Sequence, residues 1–380
     1  MAQRIIVAGL LLTLAILWRP VVRPAGAGAV IVLDIYTSAL YGGNVAALLT
    51  PEPRVSDTRE SFGGVDMRVT WWRPGWGERH PAVMLVNGAT PVGNDDSETR
   101  RLSDALARAG YLVMLPEFPF IKEGHLERRA PDIIDAAFAR LAALSETRGH
   151  GIGAFGFSVG GGMLLAASSH GGALAGAAYL GALGGYFDLD TYLASVLSRS
   201  QGAPGALTPW EPDAEARVRL PVAAAEALAD AGDRARVVDA LNAAGGSLAG
   251  PPPPGLGGEA VSLWRALAAT SYSDALDRIR ELPPSLREVL DDLSPRARWG
   301  AIVPRIFWLH DVGDRFEPVS EAFAAEAAAT RGRPMRLQVT GLLSHAAALD
   351  ERARARDAGF WVGELAGLIG FSAAVLSAGG

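Results

Sequence analysis

Five residues, Gly156-Phe157-Ser158-Val159-Gly160, place a hydroxyl nucleophile between two glycines at the spacing G-x-S-x-G. They follow the short apolar run 151–155 and precede the small-residue stretch 161–167, which reads as strand, sharp turn and helix. The glycines let the helix begin almost on top of the strand, where a Cβ would clash. Ser158 is then held strained at the apex, its hydroxyl aimed at the end of the sheet. The Val159 amide falls at the helix N-terminus, where unpaired N–H groups and the helix dipole favour an oxyanion. A glycine-rich turn that happens to contain serine is the plainer reading. The strand and helix on either side favour the nucleophile.

A serine hydroxyl attacks poorly at neutral pH without a base and a group that orients the base. Both are on offer at sheet ends. The run 305–310 reads as a strand and leads into Asp311-Val312-Gly313-Asp314-Arg315-Phe316-Glu317-Pro318. A carboxylate just past a strand's carboxyl end points into the crevice where open α/β sheets bind ligands. Asp314 is the candidate acid, Asp311 its rival nearer the strand end, and Glu317 the third choice. The last strand, 335–339, is followed by Gly341 and then Ser344-His345, which makes His345 the candidate base. The order is then Ser158, Asp314, His345. Taken singly, an aspartate in a loop is usually a turn residue and a histidine a surface or core group. His80, His125, His150 and His170 sit in poorer places, and His310 precedes the acid.

A second oxyanion donor belongs in the loop after the strand 82–86, where Asn87-Gly88-Ala89-Thr90-Pro91 stands. Gly88 permits the inward turn, Ala89 is the expected donor and Thr90 the alternative. An ordinary glycine turn is the competing reading.

These residues need a scaffold, and the hydropathy pattern supplies one. Segments 55–62 and 65–72 alternate like half-exposed strands around Gly63-Gly64. Apolar strands are then expected at 82–86, 111–116, 151–155 and 173–183, with helices at 97–109 and 130–145 between them. That alternation implies a mostly parallel sheet covered on both faces. From 187 to 298 the rhythm breaks into alanine-rich helical pieces, near 213–231, 233–244, 259–269 and 285–293, with no convincing strand. This reads as a helical cap inserted over the sheet edge, with Trp210, Trp264, Tyr272 and Leu207 as candidate pocket lining, although core packing suits each of them as well. The organisation is therefore an N-terminal segment and linker at 1–50, a first core part at 51–186, the cap at 187–298, and a second core part at 299–380 that ends in the uncharged tail 365–380.

The 380 residues are 49% hydrophobic and 20% charged, enough for a large core, and the formal charge is −6. With no basic run, the chain has no nucleic-acid footprint. It has no cysteine, which excludes disulfides, thiolate nucleophiles and cysteine zinc sites. Residues 5–18 form an apolar run behind Arg4, followed by Arg19, Arg23 and a second apolar stretch, 25–33. The first run is short of the ~20 residues that cross a bilayer. A signal peptide cleaved near 25–29 fits it, and an uncleaved N-terminal membrane anchor fits the flanking arginines better. The expected location is therefore membrane-anchored or exported, with membrane association through the N-terminal segment. A buried N-terminal helix remains the plain alternative. The tail and the N-terminal run are expected to meet at the membrane, to pair as helices, or to leave the tail completing the last helix against the sheet.

Over residues 55–186 and 299–365 the chain resembles the α/β-hydrolase superfamily, most closely its serine esterase and dienelactone hydrolase-like branch. The residues that carry the resemblance are Gly156-Phe157-Ser158-Val159-Gly160, Asn87-Gly88-Ala89, His310-Asp311-Val312-Gly313-Asp314 and Ser344-His345. Relatives often read H-G-x-x-D-x-x-V-P at the acid loop, and Asp314 with Pro318 matches its aspartate and proline. Asn87 stands where a histidine is common, and Ser158 where dienelactone hydrolases carry cysteine. The resemblance implies an α/β-hydrolase fold and hydrolysis of a small-molecule carboxylic ester through an acyl-enzyme on Ser158. His345 is then the base, Asp314 the orienting acid, and Val159 with Ala89 the oxyanion hole. No metal and no cofactor is implied. A peptidase or acyltransferase with the same triad, or an inactive membrane-tethered binding protein, are the alternative readings.

Overall fold

The structure is a computed structural model that describes residues 23–41, 47, 50–203, 205–329, 335–345, 349 and 351–379. Its sheet opens with β1 (Arg54–Phe62) and β2 (Val65–Arg73), joined at Gly63 and Gly64, both at positive φ. β3 (Ala82–Val86), β4 (Leu112–Pro116), β5 (Ile152–Phe157) and β6 (Tyr179–Leu183) follow. A two-residue ribbon, β7 (Ser200–Gln201) with β8 (Thr208–Pro209), lies in the insertion where the sequence offered no strand. β9 (Arg305–Asp311) and β10 (Met335–Thr340) close the sheet, whose order is β1-β2-β4-β3-β5-β6-β9-β10. β2 runs antiparallel to β1 and β4, and the remaining pairs are parallel. This is the α/β-hydrolase fold.

Every residue of β3, β4 and β6 is buried, as purely apolar central strands require. Helices Ala130–Ala142 and Val159–Ser169 cover one face, together with the insertion. Helices Ser97–Arg108, Arg23–Tyr41 and Ala358–Gly379 cover the other. Val86 pairs with Gly156, Phe157 with Leu183, Leu183 with Leu309 and Asp311 with Thr340. That register brings the carboxyl ends of β3, β5, β6, β9 and β10 to a common rim.

The insertion folds as six helices among the described residues: Leu189–Ser198, Ala214–Glu226, Ala231–Ala243, Gly258–Leu267, Tyr272–Arg280 and Pro284–Leu293. Its entry is clamped to the core by Glu321, which accepts the amides of Phe187 and Asp188 at 3.0 and 2.9 Å and the Thr191 hydroxyl at 2.6 Å. Burial, with Asp188 nearby, pushes Glu321 up to about 7, and burial with Asp190 beside it pushes Asp188 up to about 6. The unfolded chain gives up both protons near pH 4, whereas the folded chain keeps them longer. Stability therefore falls as pH rises from about 4 to 7 and is level above that, as far as these two groups decide it. Glu321→Gln is expected to remove on the order of 2–3 kcal/mol of that pH dependence. Thermal unfolding of both proteins across pH 5–8 checks it, and parallel curves would contradict the assignment.

The expected N-terminal membrane anchor is not what the structure supports. Residues 5–18 lie outside the described residues. The second stretch, 25–33, belongs to helix Arg23–Tyr41, whose Ile31, Val32 and Tyr36 are buried against the sheet and the C-terminal helix. Side chains committed to a protein core are not free to face lipid. Among the described residues, the helix long and apolar enough to span a membrane is Ala358–Gly379, at the other end of the chain. The tail and the N-terminal stretch pair instead. Gly28 allows the close approach, since a Cβ there would lie 2.9 Å from the Ala373 amide nitrogen.

Candidate active site

Ser158 follows β5 and caps helix Val159–Ser169 with φ 53° and ψ −137°, a conformation that L-residues rarely occupy. Strain of this kind costs on the order of 1–3 kcal/mol and persists only where neighbours enforce it. Here a Cβ on Gly156 would meet the Gly160 carbonyl oxygen at 2.5 Å, and one on Gly160 would meet the Asn87 oxygen at 2.2 Å. The Ser158 amide donates to Leu183 O at 2.8 Å, which ties the turn to β6.

The loop after β9 brings Asp314 to His345, with Oδ2 and Nδ1 2.8 Å apart. The other carboxylate oxygen accepts the Phe316 amide at 2.7 Å and the Glu317 amide at 3.1 Å, so Asp314 is held from both sides. Burial pushes its pKa up, but the His345 charge and hydrogen bond, with His310 and the Phe316 amide, pull harder and leave it below its ordinary value. His345, 14% exposed, stacks on Phe316 at 4.7 Å between ring centres. Burial disfavours its charged form, yet Asp314 and Glu317 outweigh that and raise it to about 9.

Asp311 does not take the acid position. It accepts the Gly313 amide at 3.1 Å and lies 4.0 Å from Arg352. His310 is a satisfied core histidine. The Trp308 indole donates to its Nδ1 at 3.3 Å, which leaves Nε2 to donate to Glu317 O at 3.0 Å. Burial depresses its pKa, in keeping with that neutral tautomer.

Glu317 holds the position that the sequence did not disclose. Its Oε1 accepts the Ser158 hydroxyl at 2.8 Å, while Oε2 lies 3.3 Å from His345 Nδ1. Burial pushes this carboxyl up to about 8, Asp314 adds to the rise, and His345 and the Ser158 hydrogen bond oppose it. Two acids thus share one imidazole, and Glu317 is the one that keeps its proton near neutrality. Asp314, Glu317 and His345 also form the described cluster whose donor atoms, within 4.8 Å of one another, have the types a cation accepts. Within it, Glu317 Oε2 is buried without a hydrogen-bond partner.

The loop after β3 touches Ser158. A Cβ on Gly88 would lie 2.9 Å from that of Ser158. Asn87 fixes the loop, donating to Gly93 O at 2.9 Å and accepting the Thr99 hydroxyl at 2.8 Å. Arg219 of the cap donates to Ala89 O at 3.2 Å. Ala89, Thr90 and Val159 share with Ser158 and His345 the lining of one cavity of about 540 Å³.

Trp210, Trp264, Tyr272 and Leu207 do not line that cavity. The Trp210 indole donates to Asp314 O at 2.7 Å, bracing the acid loop, and Leu207 is exposed. From the cap, Leu189, Tyr192, Arg219 and Leu220 are among the lining residues, next to Tyr186 of the core.

The chain is similar in structure to a 2,6-dihydroxy-pseudo-oxynicotine hydrolase, at 16% identity and TM-score 0.48, over 85% of this chain and 69% of that one. It is similar to brefeldin A esterase, a bacterial homologue of human hormone-sensitive lipase, at 17% identity and TM-score 0.45, over 94% and 86% of the two chains. A Mycobacterium tuberculosis puromycin-hydrolysing peptidase is matched at 17% identity and TM-score 0.47, over 88% of this chain and 40% of that one. The likeness is one of fold. No family model and no curated protein matches the sequence.

Proposed function

We propose that the protein is a serine hydrolase that cleaves carboxylic esters through an acyl-enzyme on Ser158. The observation that carries this reading is the 2.8 Å contact of Asp314 with His345 Nδ1, at the rim where a strained elbow presents Ser158. With Nδ1 committed to Asp314, Nε2 is the nitrogen that takes the serine proton. The hydroxyl rests on Glu317, so attack begins when it turns from that carboxyl to His345. Asp314 holds the tautomer and stabilises the imidazolium. The amides of Val159 and Ala89, with Thr90 as alternate, receive the developing oxyanion, and each such donor is worth about 3–4 kcal/mol of barrier. His345 then returns its proton to the departing alcohol, and water releases the acyl group.

Fluorophosphonate labelling followed by peptide mapping, beside hydrolysis of p-nitrophenyl butyrate, tests this. The expected adduct is on Ser158. An unlabelled serine with no ester turnover would sink the proposal. An anilide of the same acyl group in parallel separates esterase from peptidase, since both proceed through the same acyl-enzyme.

Catalysis needs neutral His345, so kcat/KM rises with pH through the histidine's raised pKa, near 9. Glu317→Gln removes one of the two acids that raise it. The rising limb is then expected to move toward 6.5, which increases activity at pH 7 relative to the plateau. A limb that stays in place would show that Glu317 does not act on the base.

A further inference from the structure

The 540 Å³ cavity does not stop at the rim. From Ser158 and His345 it continues along the sheet face formed by β3, β5, β6 and β9, beneath the paired terminal helices. Ile31, Val32 and Tyr36 of helix Arg23–Tyr41 and Leu368, Phe371 and Leu376 of helix Ala358–Gly379 line it there. Its volume falls inside the range of about 300–1,000 Å³ typical of ligand sites.

Protein interiors pack like organic crystals, and voids much larger than a water molecule are few. This one is not the product of loosely packed helices. Gly28 seats the two helices backbone to backbone, so the roof is tight and the space lies under it. The lining is overwhelmingly apolar. Its charged side chains outside the site itself, Asp96, Glu98, Glu215 and Arg219, all reach solvent. Polar groups gathered at the mouth beside Ser158 and a mainly apolar interior suit a molecule whose polar reacting group sits at one end.

We propose that this cavity is an acyl-chain site and that the preferred substrates are esters of long-chain fatty acids. The carbonyl sits at Ser158 and the chain runs between the sheet and the terminal helices. The assignment to substrates rests on ester cleavage at Ser158, whereas the cavity's taste for an alkyl chain does not. Each buried methylene favours the complex about fourfold. kcat/KM on p-nitrophenyl esters is therefore expected to climb at least about a hundredfold from butyrate to decanoate and then level off as the cavity fills.

Ser372→Trp and Leu102→Trp, at partly buried lining positions on the C-terminal helix and on helix Ser97–Arg108, fill the interior from two different helices. Each is expected to lower the decanoate-to-butyrate ratio of kcat/KM at least tenfold. The ratio cancels any loss of folded enzyme, and fluorophosphonate titration counts the active sites. Calorimetric binding of dodecanoate to the full chain, with and without each tryptophan, reads the cavity without any chemistry. If butyrate and decanoate are cleaved alike and dodecanoate does not bind, the acyl-chain site is overturned and ester cleavage stands. If dodecanoate binds, the tryptophans abolish binding, and no ester is cleaved, the site stands and the esterase reading fails. Tryptophans that leave both the ratio and the binding untouched would also overturn it.

Discussion

Asp314→Asn is expected to lower kcat for ester hydrolysis about 10⁴-fold with little change in KM. The reason lies in which way the amide must face. Asp314 uses one oxygen to accept the Phe316 and Glu317 amides and the other to meet His345 Nδ1. An asparagine keeps its carbonyl oxygen toward the two amides, because its NH₂ group there would face two donors. The NH₂ then points at Nδ1, and the imidazole answers by moving its proton to Nε2. That is the nitrogen required to accept from Ser158, so the base is in place and in the wrong form. Labelling by fluorophosphonate is expected to slow in parallel, since it depends on the same proton transfer. A loss of less than tenfold would mean that Glu317, 3.3 Å from Nδ1, can orient the base unaided.

The sequence made the local parts of this site legible and hid the non-local ones. Ser158 was readable because a tight strand-to-helix turn imposes glycine on its own neighbours. The contacts a Cβ would make at Gly156 and Gly160 are with the turn and the adjacent loop. Asp314 and His345 were readable because sheet order carries them: each follows a strand whose carboxyl end the register brings to one rim. Glu317 stood in view as a candidate acid, but its bond to Ser158 joins residues 159 positions apart and leaves no local pattern. The helical insertion was legible as a cap, yet which of its side chains face the site depends on how six helices stack. Trp210 accordingly proved to brace the acid loop. The N-terminal stretch was misjudged for a related reason. Its apolar residues satisfy any hydrophobic partner, and only the fold shows that helix Ala358–Gly379 is that partner.

Ser158→Ala is expected to reduce kcat by at least about 10⁴ and to abolish fluorophosphonate labelling, while the chain still folds. Alanine adds no atom to the elbow. It strips the Glu317 carboxyl of the hydroxyl donor it receives at 2.8 Å, so stability falls by about 1–3 kcal/mol. The informative measurement is the double variant Ser158→Ala/Asp314→Asn. If serine, histidine and aspartate work as a unit, the second substitution removes something already useless, and the double variant is no slower than Ser158→Ala alone. The geometry contains a rival, because the hydroxyl rests on a carboxyl and not on the imidazole. Were Glu317 the direct base, Asp314→Asn would cost little by itself and Glu317→Gln would be as damaging as loss of the serine. Residual rates of the three single variants and the double, measured on one ester with active sites counted beforehand, separate the two arrangements. The triad requires the Asp314 loss to be large alone and absent in the serine-less background.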